Sequence, residues 1–275
     1  MPVSEEGIGN RIKNSVVGVL KGAGEVVSGA ADATKDAVVS TLKGAGDVAG
    51  AVASTTSDVV KGAVSAVSEV GTGTFDAVKG VVVGIIKGVG EVATVTVGTI
   101  SDVVRAAVKG TADVGGDVTS AAAGIADGVI TATKDTGVSV TEGATALGQS
   151  AIKGVKDVGG DVIGASSSTV SGAIKGAHSI GADALGAAQS TAKGLVKGAG
   201  DVGADVVGVT TGAISGAISG AKDIGLSAED AASAAATGAF QAAESIGESA
   251  VNAVRDVAAS SVDGVKAVIR GDKEN

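Results

Sequence analysis

The stretch "LVKGAGDVGADVVG", Leu195 to Gly208, decides how the chain is read. Gly198, Gly200 and Gly203 in it spell G-x-G-x-x-G, the spacing by which a glycine-rich turn seats a pyrophosphate on a helix N-terminus. That reading requires a strand before the turn and a helix after it, in one unit that stands alone. This stretch has sisters instead. "KGAGEV" begins at Lys21, "KGAGDV" at Lys43, "KGVGEV" at Lys87, "KGTADV" at Lys109, "KGVKDV" at Lys153, "KGAHSI" at Lys175 and "KGAGDV" at Lys197, with every gap 22 or 44 residues. A pattern that returns at a fixed period marks a repeat protein, and the nucleotide match is a product of the repeat.

Degenerate copies in phase at Ser65, Thr131, Ser219 and Gln241 complete eleven units over residues 21–262. Residues 1–20 read as an amphipathic lead-in in the same phase, and 263–275 as a partial repeat with a polar tail. The sixth column holds Val26, Val48, Val70, Val92, Val114, Thr136, Val158, Ile180, Val202, Ile224 and Ile246. The last column holds Leu42, Val64, Ile86, Val108, Ile130, Ile152, Ile174, Val196, Ile218, Phe240 and Val262. Twenty-two is two elevens, and eleven residues make three helical turns at about 3.67 residues per turn. Apolar columns three or four apart form a wide stripe, with the Lys of the first column and the acids of the fifth on the opposite side. Strand-like alternation is brief, at "TVTVGT" 94–99. The pattern predicts an all-α chain of tandem amphipathic repeats, as long helices or as stacked helical hairpins. In the stacked form the two glycines of each "KGAG" end one helix and start the next.

Composition limits the core and the chemistry. The chain has 275 residues, 46 of them Gly, with two Phe, one Met and no Trp, Tyr or Cys, so any core is thin and made of small side chains. Each Gly inside a helix costs about 1 kcal/mol relative to Ala, so a free helix in water is marginal. A formal charge of −9, spread along the chain, gives no basic face for nucleic acid. Positive mean hydropathy argues against a disordered chain. Absence of Cys fits a reducing compartment. Glu5 and Glu6 stand where a signal peptide carries basic residues. The longest uncharged run, 206–221, is too short and polar for a spanning helix.

No catalytic, cofactor or metal constellation is expected. His178 is the only histidine, a variant in a solvated column with no partner for a metal or a triad. The carboxylate pairs Asp113/Asp117, Asp157/Asp161 and Asp201/Asp205 lack the six to eight oxygens a calcium loop supplies. Lys153–Asp157 and Lys197–Asp201 have the i, i+4 spacing of helix-face ion pairs. Gly172/Gly176, Gly194/Gly198 and Gly216/Gly220 have the small-xxx-small spacing that lets two helix backbones approach, or that keeps the stripe shallow.

"TKDAVVSTLKGAGDVAGAV" (34–52) resembles the repeat region of the perilipins that coat lipid droplets. "KGVGEVATVTVGT" (87–99) and "TKDTGVSVTEGATALG" (133–148) are similar to the lysine-led synuclein repeat. The resemblance spans 21–262 in period and composition, although this chain is net acidic where those families carry more lysine. It implies a non-enzymatic, cytoplasmic protein that lies peripherally on lipid droplets or membranes. The Val, Ile and Ala stripe, with Leu42 and Phe240, would be the lipid face. Eleven weakly binding units in series gain strength from effective concentration. The alternative is a self-packing helical repeat scaffold or filament, in which neighbouring helices cover the stripe.

Overall fold

Each helix in the second half of the chain stops and restarts within six residues, and the quoted stretch contains one such break. In the computed structural model, which describes residues 26–44, 59, 61–62 and 74–270, a helix ending at Val202 is closed by Gly203 at φ +62. The Ala204 N–H reaches back to the Ala199 carbonyl at 2.9 Å and the Gly203 N–H to that of Gly200 at 3.3 Å, a Schellman closure of the last turn. Asp205 then takes an extended conformation and the next helix begins at Val206. Left-handed glycines recur at Gly115, Gly137, Gly159, Gly181 and Gly225, spaced 22 or 44 residues apart. Two residues beyond each stands a helix-capping acid or serine: Asp117, Ser139, Asp161, Asp183 or Ser227. The Asp161 carboxylate accepts from the Ile163 and Gly164 amides and that of Asp183 from Leu185 and Gly186, satisfying N–H groups that the helix start leaves unpaired.

Among the described residues these breaks yield ten helices: α1 (Val26–Gly44), α2 (Thr74–Val92), α3 (Val97–Asp113), α4 (Val118–Thr133), α5 (Val140–Asp157), α6 (Val162–Ser179), α7 (Ala184–Val202), α8 (Val206–Asp223), α9 (Ala228–Ile246) and α10 (Glu248–Ala259). The break does not fall at "KGAG": Lys197–Gly200 is inside α7, which runs on to Val202. A glycine weakens a right-handed helix without ending it. The stop needs a left-handed residue, and the restart needs a capping side chain.

From α3 to α9 each helix packs most extensively on a helix two places away and less on its sequence neighbours, while α1 packs chiefly on α2 and α10 chiefly on α9. One layer is therefore α1, α2, α4, α6 and α8, and the other is α3, α5, α7 and α9. Within a layer the helices run parallel, because contacts keep a constant offset: Gly172 lies over Ala123 and Gly176 over Asp127, each 49 residues back. Gly194 over Thr145 and Gly198 over Gln149 repeat that offset from α7 to α5. Between α2 and α1 it is 53, Gly84 over Ala31 and Gly88 over Lys35, one helical turn further along. The core between layers is Ala, Val, Ile and Leu, with Ile130, Ile152, Ile174, Leu195, Ile214 and Ile218 at most 2% exposed.

The carboxyl end departs from the helical expectation. α10 stops at Ala259, and a hairpin follows, β1 (Ser261–Val262) paired antiparallel with β2 (Val265–Lys266). Asp263 (φ +47) and Gly264 (φ +78) make its two-residue turn, an Asp-Gly pair suited to positive φ at both positions. The lead-in at 1–20 lies outside the described residues.

Candidate functional site

The most specific arrangement in the molecule is the seam between a helix and the next but one. Its close points include the glycine pairs Gly172/Gly176, Gly194/Gly198 and Gly216/Gly220, whose faces lie directly on the neighbouring backbone. A methyl group on Gly198 would stand 2.8 Å from the Gln149 carbonyl oxygen, and one on Gly176 2.9 Å from that of Asp127. Of the two readings of this spacing, close backbone approach is the one observed. Such approach multiplies backbone and Cβ contacts, so a core without aromatics still gains dispersion energy. α5 and α7 share glycines from both sides, with Gly148 of α5 against the Thr191 carbonyl while Gly194 meets that of Thr145.

Charges follow the same seam. Lys153 pairs with Asp201 at 2.8 Å, 48 residues ahead, and not with Asp157 in its own helix as the i, i+4 spacing suggests. Lys175–Asp223 at 2.6 Å, Lys87–Asp135 at 3.0 Å and Lys79–Asp127 at 3.0 Å keep the same separation. The parallel neighbour brings an acid level with each of these lysines, and that geometry wins over the local pair. Gln149 also donates to Asp201 at 2.6 Å, and the Lys156 ammonium to the Val202 carbonyl. With Lys153 and Gln149 on it, the Asp201 carboxyl is held below the usual carboxylate range. The Lys61 ammonium, 2.8 Å away, lowers Asp113 in the same way. Asp127 is the buried acid of this set, its side chain 5% exposed, with Lys79 and the Thr131 hydroxyl (3.1 Å) as partners.

The carboxylate pairs separate in space along the chain's breaks. Asp113, Asp157 and Asp201 lie at or next to helix C-termini, whereas Asp117, Asp161 and Asp205 precede the following helices. Among the described residues no group of three or more His, Asp or Glu side chains could hold a metal. His178 is exposed in the last turn of α6.

The apolar stripe divides into two classes. Leu42, Ile86, Val108, Ile130, Ile152, Ile174, Val196 and Ile218 of the last column are buried under neighbouring helices. Phe240 is half-buried, with the Arg255 guanidinium 5.1 Å above its ring. In the sixth column Val92, Val158, Ile180, Val202 and Ile224 are half-buried at the helix ends, while Val114 (37%) and Ile246 (40%) are exposed. Val48 and Val70 lie outside the described residues, and of Val26 only the helical backbone is described. The sequence singles out both columns but does not separate a core column from one at the helix ends. The left-handed glycine one residue after the sixth column carried that distinction.

An open cleft of about 740 Å3 lies between α3 and α5, lined by Asp102, Arg105, Lys109, Asp113 and Asp157 with Val158 and small residues. Where α6, α7, α8 and α9 carry Gly172, Gly194, Gly216 and Gly238, α5 carries the buried Ser150, and α3 and α5 pack less extensively than the pairs after them. Its charges are mixed, and Arg105 leans on Asp102 at 3.5 Å while Asp113 is engaged by Lys61. Among the described residues no helix is long and apolar enough to cross a membrane. In comparisons with known proteins, no family model and no curated protein matches this chain.

Proposed function

We propose that the chain is a self-packing α-helical repeat scaffold: a stack of 22-residue units, each two elevens wound at about 3.67 residues per turn, that presents its charged and capped surfaces without catalysing a reaction. The observation that carries this reading is the burial of the last column, from Ile130 through Ile218, beneath helices of the same chain. The glycine pairs add to it, because a face fitted to a parallel backbone neighbour has no use on a fluid lipid surface. The ion pairs reach from one unit to the unit after next and so favour ordered stacking over independent helices.

The lipid-coat reading uses the same stripe and requires the stack to open so that Ile152 or Ile174 leaves its protein neighbours for lipid. Flotation of the purified chain with phosphatidylcholine vesicles, phosphatidylserine-containing vesicles and triolein droplets separates the two. The scaffold stays in the dense fraction with all three. Flotation with any of them favours the coat, and droplets against charged vesicles would then distinguish neutral from anionic lipid.

A further inference from the structure

Helices α4 to α7 offer the helix after next the same two positions. On α4 they are Ala123 and Asp127, which meet Gly172 and Gly176 of α6. On α5 they are Thr145 and Gln149, on α6 Ser167 and Ser171, each pair covered by a glycine pair 49 residues on. On α7, Gln189 lies under Gly238 of α9. The corresponding positions on α9 are Ser233 and Thr237, 44 residues beyond Gln189 and its neighbour one turn on. Among the described residues no helix stands 49 residues on to cover them.

The segment after β1 takes that place. The Val268 N–H donates to the Ser233 hydroxyl at 3.0 Å and the Arg270 N–H to the Thr237 hydroxyl at 3.0 Å. The Arg270 guanidinium reaches Asp230, one turn earlier on α9, at 2.9 Å. Side chains alternate as on a strand: Val265 and Ile269 pack on the core, Ala267 is 5% exposed, and Lys266, Val268 and Arg270 point outward. Asp263 at the hairpin turn accepts from Ser215 of α8 at 2.5 Å, which fixes the segment's entry onto the stack.

We propose that residues 265–270 are an end cap in the seat of the next helix, and that the edge of α9 beneath them is a docking surface for a glycine-bearing helix of a second copy of this chain. This deepens the scaffold reading and rests on its stack. The seat's shape identifies its occupant, because on α4, α5, α6 and α7 it receives a helix of this same repeat. An extended strand serves as a stop for a chemical reason. It satisfies the two hydroxyls with backbone N–H groups and presents Lys266 and Arg270 outward, a charged edge that no helix of the repeat matches. A contact between the carboxyl end of one copy and a different face of another does not close on itself, so opening the cap leads to chains of molecules.

The test is sedimentation velocity of the full chain beside a chain ended after Ser260, with far-UV circular dichroism of both. The cap predicts that the shortened chain keeps its helicity and that its average mass rises with concentration to about double that of the full chain or more. A synthetic peptide of residues 261–270 should reverse the rise. A shortened chain that stays helical and sediments as the full chain does overturns the cap and leaves the stack standing. If shortening abolishes helicity, the full chain carrying Ser233→Val and Thr237→Val decides, since it loses both acceptors and keeps α9. Faster tryptic cleavage after Lys266 together with association supports the cap, and an unchanged chain overturns it. A full-length chain without helicity in buffer would overturn the stack and the cap together.

Discussion

At the scale of single residues, glycine performs two opposite tasks here, and substitution by alanine separates them. In a free or lipid-bound helix, Gly→Ala is stabilising by about 0.5–1 kcal/mol, because glycine has more conformational freedom to lose. At Gly90, near the end of α2, the nearest atom to an added methyl group is a Val95 methyl at 3.5 Å, an ordinary contact, so Gly90→Ala should stabilise by that amount. At Gly198 the methyl group meets the Gln149 backbone at 2.8 Å, and backbone does not yield as a side chain does. Gly198→Ala should therefore destabilise by about 1–2 kcal/mol, overpacking outweighing the gain in propensity. Urea unfolding of the two variants checks the sign at each site. A gain in stability at both would show that the helices do not touch along this seam. Sequence spacing alone left the pairs at 172, 194 and 216 with two readings, because a shallow lipid face and a close helix contact both demand small residues. Only the 49-residue offset to a facing backbone decides between them.

At the scale of the element, α3 to α8 each end at a left-handed glycine, most of the following helices start at a capping side chain, and several parallel neighbours are joined by an ammonium–carboxylate pair. Asp113, Asp117 and Asp201 have carboxyls held below their ordinary range, by the Lys61 ammonium, the Ser120 hydroxyl and the Lys153 ammonium respectively. A lowered folded value means that the unfolded chain takes up protons first. The stabilisation is complete above about pH 4 and is lost as pH falls through the folded values. Lys35 is shifted the other way, raised by its hydrogen bond to Glu91, so its contribution is present below about pH 10 and is lost as pH rises through the raised value. Thermal melts should therefore show a stability plateau across neutral pH and a decline below about pH 4, with Asp201→Asn shallower on the acid side than the parent chain. A parent chain whose melting temperature is unchanged from neutral pH to pH 3 would contradict the seam's charge pairing.

Much of the element scale is written in the sequence. "DVGGDV" at 113–118 and at 157–162, "DVGADV" at 201–206 and "DIGLSA" at 223–228 each contain an acid, an apolar residue, the stop glycine and the start cap. Helical period and the two apolar columns also come from the residues alone. Where the helix breaks cannot be found by counting glycines, because "KGAG" carries as many of them as the stop in "DVGGDV" and lies inside the helix. Which acid a lysine chooses depends on a neighbour 48 residues away, which spacing within one unit does not reveal. The hairpin was within reach, since "SVDGVK" at 261–266 places Asp-Gly between two apolar-containing pairs.

At the scale of the whole molecule, the chain solves the problem of a core without large side chains by repetition and proximity. Each helix buries little, but the inner ones are covered from their own layer on both sides and from the facing layer, and the helices approach to backbone contact at their glycines. A stack of this kind has directional edges, and its carboxyl edge is closed by a strand that the repeat does not encode. The buried acid Asp127 with Lys79 lies within this packing, where losing one partner of such a pair typically costs about 3–5 kcal/mol. The central claim is that the apolar stripe is covered by the chain's own helices. It is tested most directly by far-UV circular dichroism of the purified chain, melted in buffer and again with phosphatidylserine-containing vesicles. Strong helicity in buffer, a cooperative melt and no change on adding vesicles is the predicted result. Weak helicity in buffer that rises on vesicles would show that lipid, and not the neighbouring helix, covers Ile130, Ile152 and Ile174.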